Sequence, residues 1–232
     1  MTNILLTGSS RGIGAATAQG LTEAGATVIG HGTASGIAAD FAVSAAPAAL
    51  WNAALDQAGG TIDVLVNNAG VFEANPIDVE DAAWVAAWER TMRINLTASA
   101  ELCRLAILHW QARGGGGRIV NIASRAAYRG DSPAHWHYAA SKAGMVAMTK
   151  SIARGYAAQG ILAFAICPGF TMTGMAEDYV ASRGGDKLLA DIPLGRVADP
   201  HEVAVAARFL ALEAPASMTG AVIDVNGASY VR

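Results

Sequence analysis

The sequence predicts a single-domain doubly wound α/β fold, one parallel sheet with helices on both faces. Three observations predict it. Six short runs, at residues 3–6, 27–29, 62–66, 118–122, 161–166 and 221–225, are apolar almost throughout, which suits strands buried on both faces. Longer segments of helical pattern lie between them, at 12–24, 47–58, 80–111, 138–158 and 200–213. A glycine-rich turn joins the first run to the first helix. Right-handed crossovers then place helices on both faces and bring the carboxyl ends of the strands to one edge, where ligands bind.

Composition agrees with this architecture and excludes several functions. The chain has 232 residues, enough for one domain with a real core, and 53% of them are apolar against 15% charged. A net charge of -3, with the 16 Lys and Arg forming no run, gives no attraction to nucleic acid or to an anionic membrane. No apolar run approaches the roughly 18 residues of a membrane-spanning helix, and no basic leader precedes the first strand. Cys103 and Cys167 are far apart and lack metal-ligand spacing, so neither a disulfide framework nor a metal site is expected, and a cytoplasmic protein is.

The first strand runs into Thr7-Gly8-Ser9-Ser10-Arg11-Gly12-Ile13-Gly14, which opens the first helix. Glycines at 8, 12 and 14 let the backbone turn sharply and approach a pyrophosphate, whose charge a helix N-terminus stabilises. Gly8, Ser10, Arg11, Gly12, Ile13 and Gly14 are therefore expected to bind a dinucleotide. The second strand ends in Gly30-His31-Gly32-Thr33 with no carboxylate to take ribose hydroxyls. Arg11, assisted by Thr33 and His31, is expected to pair with a 2′-phosphate, which points to NADP(H), with NAD(H) as the alternative. Asn68, Ala69 and Gly70, at the end of the third long strand, fix a loop that touches the same cofactor.

The catalytic signal is Tyr138-Ala139-Ala140-Ser141-Lys142. Residues four apart share a helix face, so the phenol and the ammonium reach one bound nicotinamide riboside. A nearby cation lowers a tyrosine pKa from roughly 10 by about 1 to 3 units, toward what a proton donor requires. Ser124, at the end of the preceding strand, can hydrogen-bond the substrate oxygen opposite the tyrosine.

Together these motifs resemble the short-chain dehydrogenase/reductase family along essentially the whole chain, and within it the 3-oxoacyl-(acyl-carrier-protein) reductases. The resemblance rests on residues 7–14, on Asn67 to Gly70, Asn95, Ser124, Tyr138 with Lys142, and Pro168-Gly169. It implies a Rossmann-type fold and an NAD(P)-dependent oxidoreductase interconverting a ketone and a secondary alcohol. Tyr138 would be the acid/base, Lys142 would bind the nicotinamide ribose and depress the tyrosine pKa, Ser124 would orient the carbonyl, and Asn95 would hold a relay water. Asp40 resembles a position that contacts adenine, and Pro168, Gly169 and Thr171 resemble cofactor contacts. The interval between Ser124 and Tyr138 is one residue longer than the family's commoner spacing, with the extra residue placed in 131–137.

Substrate signals are weaker. Trp136 lies in an aromatic and imidazole stretch just before Tyr138 and is a candidate substrate contact, whereas Trp84 and Trp88 suit packing or contacts between copies. Residues 170–191 are expected to close over a small carbonyl substrate. An acyl carrier protein would meet only Arg113 and Arg118 near its expected contact edge, so a small ketone or cyclic alcohol is preferred over fatty-acid synthesis. A non-catalytic NAD(P) sensor would lose the tyrosine or the lysine, and both are present. The resemblance also implies a homotetramer built on the long helix, the Tyr138 helix and the last strand.

Overall fold

In a computed structural model, which describes residues 1–172 and 189–232, every expected apolar run forms a strand. The strands are β1 (Asn3–Thr7), β2 (Thr27–Gly32), β3 (Ile37–Ala38), β4 (Val64–Asn67), β5 (Gly117–Ile122), β6 (Ile161–Pro168) and β7 (Val222–Val225). All pair in parallel in the order β3-β2-β1-β4-β5-β6-β7. β3 is too short to show as an apolar run.

The period of two along each strand divides the core. Leu5, Ile29, Leu65 and Ile119 face one side, where α2 (Ala46–Gln57) and the long helix bring Leu50, Trp51, Leu102 and Trp110. Ile4, Leu6, Val64, Val66, Val120 and Phe164 face the other, under α1 (Gly12–Glu23) with Leu21 and the last helix with Val203 and Leu210. Each such side chain contributes about 1.5–3 kcal/mol when fully buried. Trp110 is wholly buried, and its indole N–H donates to Ile62 O at 2.7 Å. Gly117 is required beside it, because a Cβ there would run into the Trp110 ring.

The long helix expected at 80–111 is interrupted. It consists of α3 (Asp81–Met92), a π-helical turn (Arg93–Thr97) and α4 (Ala98–Ala112). α5 (Ala126–Arg129), which the sequence did not announce, ends at Gly130 with φ 76°. α6 (Trp136–Tyr156) carries Tyr138 and Lys142. α7 (Pro200–Arg208) starts on a capping box of Asp199 and Glu202 and runs into a second π-helical turn, Phe209–Glu213. Most of the loop expected at 170–191 lies outside the described residues. Among the described residues, no helix is long and apolar enough to cross a membrane, and no His, Cys, Asp and Glu group could hold a metal ion.

Candidate active site

Every expected site residue falls at or beside the carboxyl edge of the sheet. The turn after β1 is held from within. Thr7 Oγ1 accepts from the N–H groups of Asn68 and Ala69, both at 3.0 Å. Asn68 Nδ2 donates to the carbonyls of Thr7 at 3.0 Å and Gly8 at 2.9 Å. Gly8 has φ 68°, and a Cβ on it would lie 2.9 Å from Ala69 Cα; one on Gly14 would overlap the Gly8 carbonyl. The glycines therefore let α1 close on the turn, and their spacing follows from that contact.

His31 takes a different position from the one expected. The Gly8 N–H donates to its Nδ1 at 3.2 Å, so Nε2 carries the proton and donates to Ala39 O at 3.0 Å. The ring is buried and stacked on Phe41 at 4.5 Å, and burial holds its pKa below the usual histidine value. With both nitrogens engaged, His31 braces the glycine turn and has no donor left for a phosphate. Arg11, in extended conformation before α1, is exposed, and its side chain has no ion pair or hydrogen bond among the described residues. Ser10 faces the turn after β2, since a Cβ on Gly32 would lie 3.4 Å from its hydroxyl. Thr33 and Asp40 are exposed there too, with Asp40 Oδ1 accepting from Ala42 N at 2.9 Å.

Asn95 lies in the π-helical turn and is fully buried. Its side chain pairs with the Val71 backbone in both directions, Oδ1 accepting at 2.8 Å and Nδ2 donating at 3.0 Å, and Nδ2 also lies 3.3 Å from Ser141 Oγ on α6. Gly70 packs over this pair, and a Cβ on it would be 3.2 Å from Asn95 Oδ1 and 3.6 Å from Lys142 Nζ. Lys142 is buried and donates to Ile122 O at 2.9 Å, 5.8 Å from the centre of the Tyr138 ring. Ser124 accepts from Ala126 N at 3.1 Å, which starts α5, and its hydroxyl is close enough to the Tyr138 phenol to hold that group's pKa down. The longer 131–137 interval therefore leaves the two hydroxyls together. On the far wall Gly169 approaches Asn226, 2.8 Å from its Cα to a Cβ at 169, and Thr171 Oγ1 donates to Gly169 O at 3.3 Å.

The electrostatics correct one expectation. Burial pushes the Tyr138 phenol up to about 12, against the Ser124 hydrogen bond, and pushes the Lys142 ammonium down to about 8. Both shifts favour the neutral form, as desolvation dictates, and this outweighs the ammonium's expected pull on the phenol. At neutral pH the phenol keeps its proton and the lysine is mostly charged.

The comparisons with known proteins decide the family. A model described as enoyl-(acyl carrier protein) reductase matches residues 8–228. A 3-oxoacyl-(acyl-carrier-protein) reductase of Vibrio cholerae is 35% identical over 98% of this chain and 96% of its own. A cis-4-hydroxycyclohexanecarboxylate dehydrogenase of Sinomonas cyclohexanicum is 38% identical over 96% and 94%. The chain belongs to the short-chain dehydrogenase/reductase family. A candidate gluconate 5-dehydrogenase from Beutenbergia cavernae, solved with NADP at low occupancy, superposes with a TM-score of 0.88 at 31% identity, covering 98% of this chain and 96% of that one.

As a short-chain dehydrogenase/reductase, this protein is an NAD(P)-dependent enzyme that interconverts a ketone and a secondary alcohol. The residues present fit such a dinucleotide. Gly8 and Gly14 let the N-terminus of α1 and the Asn68 loop close on the turn at the carboxyl edge, which is where a pyrophosphate would meet that helix end, and Arg11 is exposed beside it with no side-chain partner among the described residues.

Two neighbours of this reductase's site escaped the sequence reading. Phe72 stacks on His135 at 3.9 Å and meets Tyr138 edge-on at 4.8 Å; its only sequence signal is a large apolar residue two positions after Gly70. Arg125, directly after Ser124, is buried over the Phe170 ring. Trp136 is 53% exposed and edge-on to Trp84, which stacks on Trp88. Arg113 and Arg118 are at the wrong edge for an acyl carrier protein reaching Tyr138, because Arg118 opens β5 and the site lies beyond its end. Both are also engaged, Arg113 with Asp63 at 2.9 Å and Arg118 with the carbonyls of Leu210 and Ala214.

Proposed function

We propose that this reductase converts a small or cyclic ketone to its secondary alcohol with NADP(H), using Tyr138 as proton donor. The observation that carries this reading is the Ser124–Tyr138 hydroxyl pair beside buried Lys142, with Phe72 and His135 forming an aromatic wall. A flat apolar wall suits a ring, and the Sinomonas relative is named for a cyclic alcohol.

The bound nicotinamide supplies the hydride; the protein supplies the rest. Ser124 holds the carbonyl oxygen and Tyr138 passes its proton to that oxygen, with charge on the phenolate offset by Lys142. Asn95 ties Val71 to α6 through Ser141, which keeps the cofactor loop and the catalytic helix in register, and it is the residue to hold a relay water. Gly8, Ser10, Gly12, Ile13, Gly14, Asn68, Ala69, Gly70, Pro168, Gly169 and Thr171 line the dinucleotide, with Asp40 toward adenine. Preference for NADP(H) is supported by Arg11 and by the lack of a carboxylate at the end of β2, with Ser10 and Thr33 as hydroxyl partners. Trp136 contacts the outer part of the substrate.

The enzyme acts in the cytoplasm as a homotetramer, supported by exposed Val85 and Leu108 on the long helix and by the edge position of β7 among the described residues. Sedimentation giving a monomer at micromolar concentration would remove that assembly.

The test is NADPH and NADH oxidation with a panel of cyclic ketones, keto acids and 3-oxoacyl thioesters, with Tyr138→Phe beside the wild type. Turnover lost by at least about 1,000-fold in the variant supports the reading. Tight NADPH binding without turnover of any ketone would replace it with a cofactor sensor. Because the phenol titrates near 12 and the Lys142 ammonium that offsets the phenolate titrates near 8, alcohol oxidation is expected to speed up from pH 7 to 8 and to rise less steeply above it, while ketone reduction, which needs the protonated phenol, does not speed up.

A further inference from the structure

Residues 40–45 run from β3 to α2 without regular structure, and all but Phe41 are exposed. The segment makes a turn of its own, with Asp40 O accepting from Val43 N and Asp40 Oδ1 from Ala42 N, each at 2.9 Å. Two side chains tie that turn to the rest of the protein. Phe41 is buried and stacked on His31, which in turn takes the Gly8 N–H. Arg93 donates from Nε to Phe41 O and from Nη2 to Ser44 O, both at 3.3 Å. Glu101 on α4 fixes the same guanidinium from the other side, Nη1 to Oε1 at 2.6 Å and Nη2 to Oε2 at 2.9 Å.

Arg93 also opens the π-helical turn, two residues before Asn95, and its pair with Glu101 spans that turn. Asn95 passes the connection on, to Val71 in both directions and to Ser141 Oγ, which donates to Tyr138 O at 2.7 Å. One guanidinium thus joins the turn that carries Asp40 to the turn that carries Asn95. A ligand that orders an exposed turn spends conformational entropy, and a second ligand that needs the same order then spends less. Such coupling needs an element common to both sites, and Arg93 is common to both. We propose that Arg93 is a positioning residue that couples the two halves of the dinucleotide. Adenosine bound at residues 40–44 settles the π-helical turn through the guanidinium, and so sets Asn95 and α6 for the nicotinamide half. The inference rests on the reading of Asp40 as the adenine contact.

The test divides NADPH into reduced nicotinamide mononucleotide and adenosine 2′-monophosphate, which lacks the 5′-phosphate and so does not crowd its partner. Nicotinamide fluorescence follows mononucleotide binding to the enzyme with and without saturating adenosine 2′-monophosphate. In the wild type the adenosine fragment is expected to tighten that binding about tenfold, with the same factor in the reverse titration. Arg93→Met should bring the factor to within about twofold of unity while each fragment still binds alone. Glu101→Gln, which leaves the guanidinium on its two carbonyls but unpinned, should lower the factor about threefold. A rigid brace would weaken one or both fragments and leave the factor as it was. That result in Arg93→Met would overturn the proposal, as would a wild-type factor of one. Asp40→Ala separates the coupling from the reading beneath it. If that variant weakens adenosine binding and the wild type shows no coupling, the coupling alone is lost; if adenosine binding is unchanged, the adenine turn is lost and the coupling goes with it.

Discussion

Around the glycine turn, the polar groups are backbone or short side chains, and most are engaged with one another. Thr7 receives two N–H groups, Asn68 spans two carbonyls and His31 links the turns after β1 and β3. Across the sheet, at the ends of β5 and β6, the site is built from larger side chains of separate segments, Tyr138, Lys142, Phe72 and His135, with Tyr138 and Lys142 both shifted toward neutrality. The first region is a rigid cradle for an invariant ligand, and the second spends stability to keep reactive groups out of water.

That contrast is most easily broken at Gly14. Gly14→Ala is expected to weaken NADPH binding by more than about 100-fold, because a methyl on the helix cannot pass the Gly8 carbonyl. Fluorescence titration checks it, and wild-type affinity would mean that the turn is pliable. Thr7→Val, which strands two part-buried N–H groups, is expected to cost about 1–3 kcal/mol in denaturant unfolding.

Lys142→Met sharpens the other side of the comparison. Lysine at 142 has its folded pKa lowered from 10.5 to about 8. The unfolded chain therefore binds more protons between those values, and the wild type gains stability as pH rises through that window. Below pH 8 the wild type carries the full cost, so the variant is expected to be the more stable protein at pH 7, by about 2 kcal/mol after loss of the bond to Ile122 O, while inactive. Thermal melts from pH 7 to 10.5 should show the advantage shrinking with pH, and a constant difference would sink the account.

The smallest effect separates Arg11 from His31. Arg11→Ala is expected to lower the NADPH over NADH preference by about tenfold, the worth of one exposed phosphate contact. His31→Gln should leave that preference within about twofold and lower stability by about 1 kcal/mol. A selectivity change in His31→Gln would return that ring to the phosphate site.

Legibility in the sequence followed the same divide. Parallel strands, the glycine turn and the tyrosine-lysine pair were readable because period, spacing and residue type express local rules. The job of His31 was not, since its burial depends on Ala39 and Phe41 folding over it from the far side of β3. The tyrosine shift was misjudged because charge proximity is visible in a helix spacing and desolvation is not. Phe72 and Arg125 acquire meaning only from partners distant in sequence, His135 for one and Asp191 for the other.

The π-helical turn at Arg93–Thr97 carries one residue more than an ordinary helical turn of the same rise, so everything after it is rotated by about 100° relative to everything before. It works as a phase shift. α3 and α4 each keep their own side inward, and Asn95 falls at the step, where it can meet Val71 head-on. Removing one residue from 93–97 would give a more regular helix and put the two halves out of phase with their neighbours. An apparent improvement to the least regular stretch of the long helix would thus misalign its whole second half, and any consensus redesign of the chain should treat that extra residue as part of the catalytic frame.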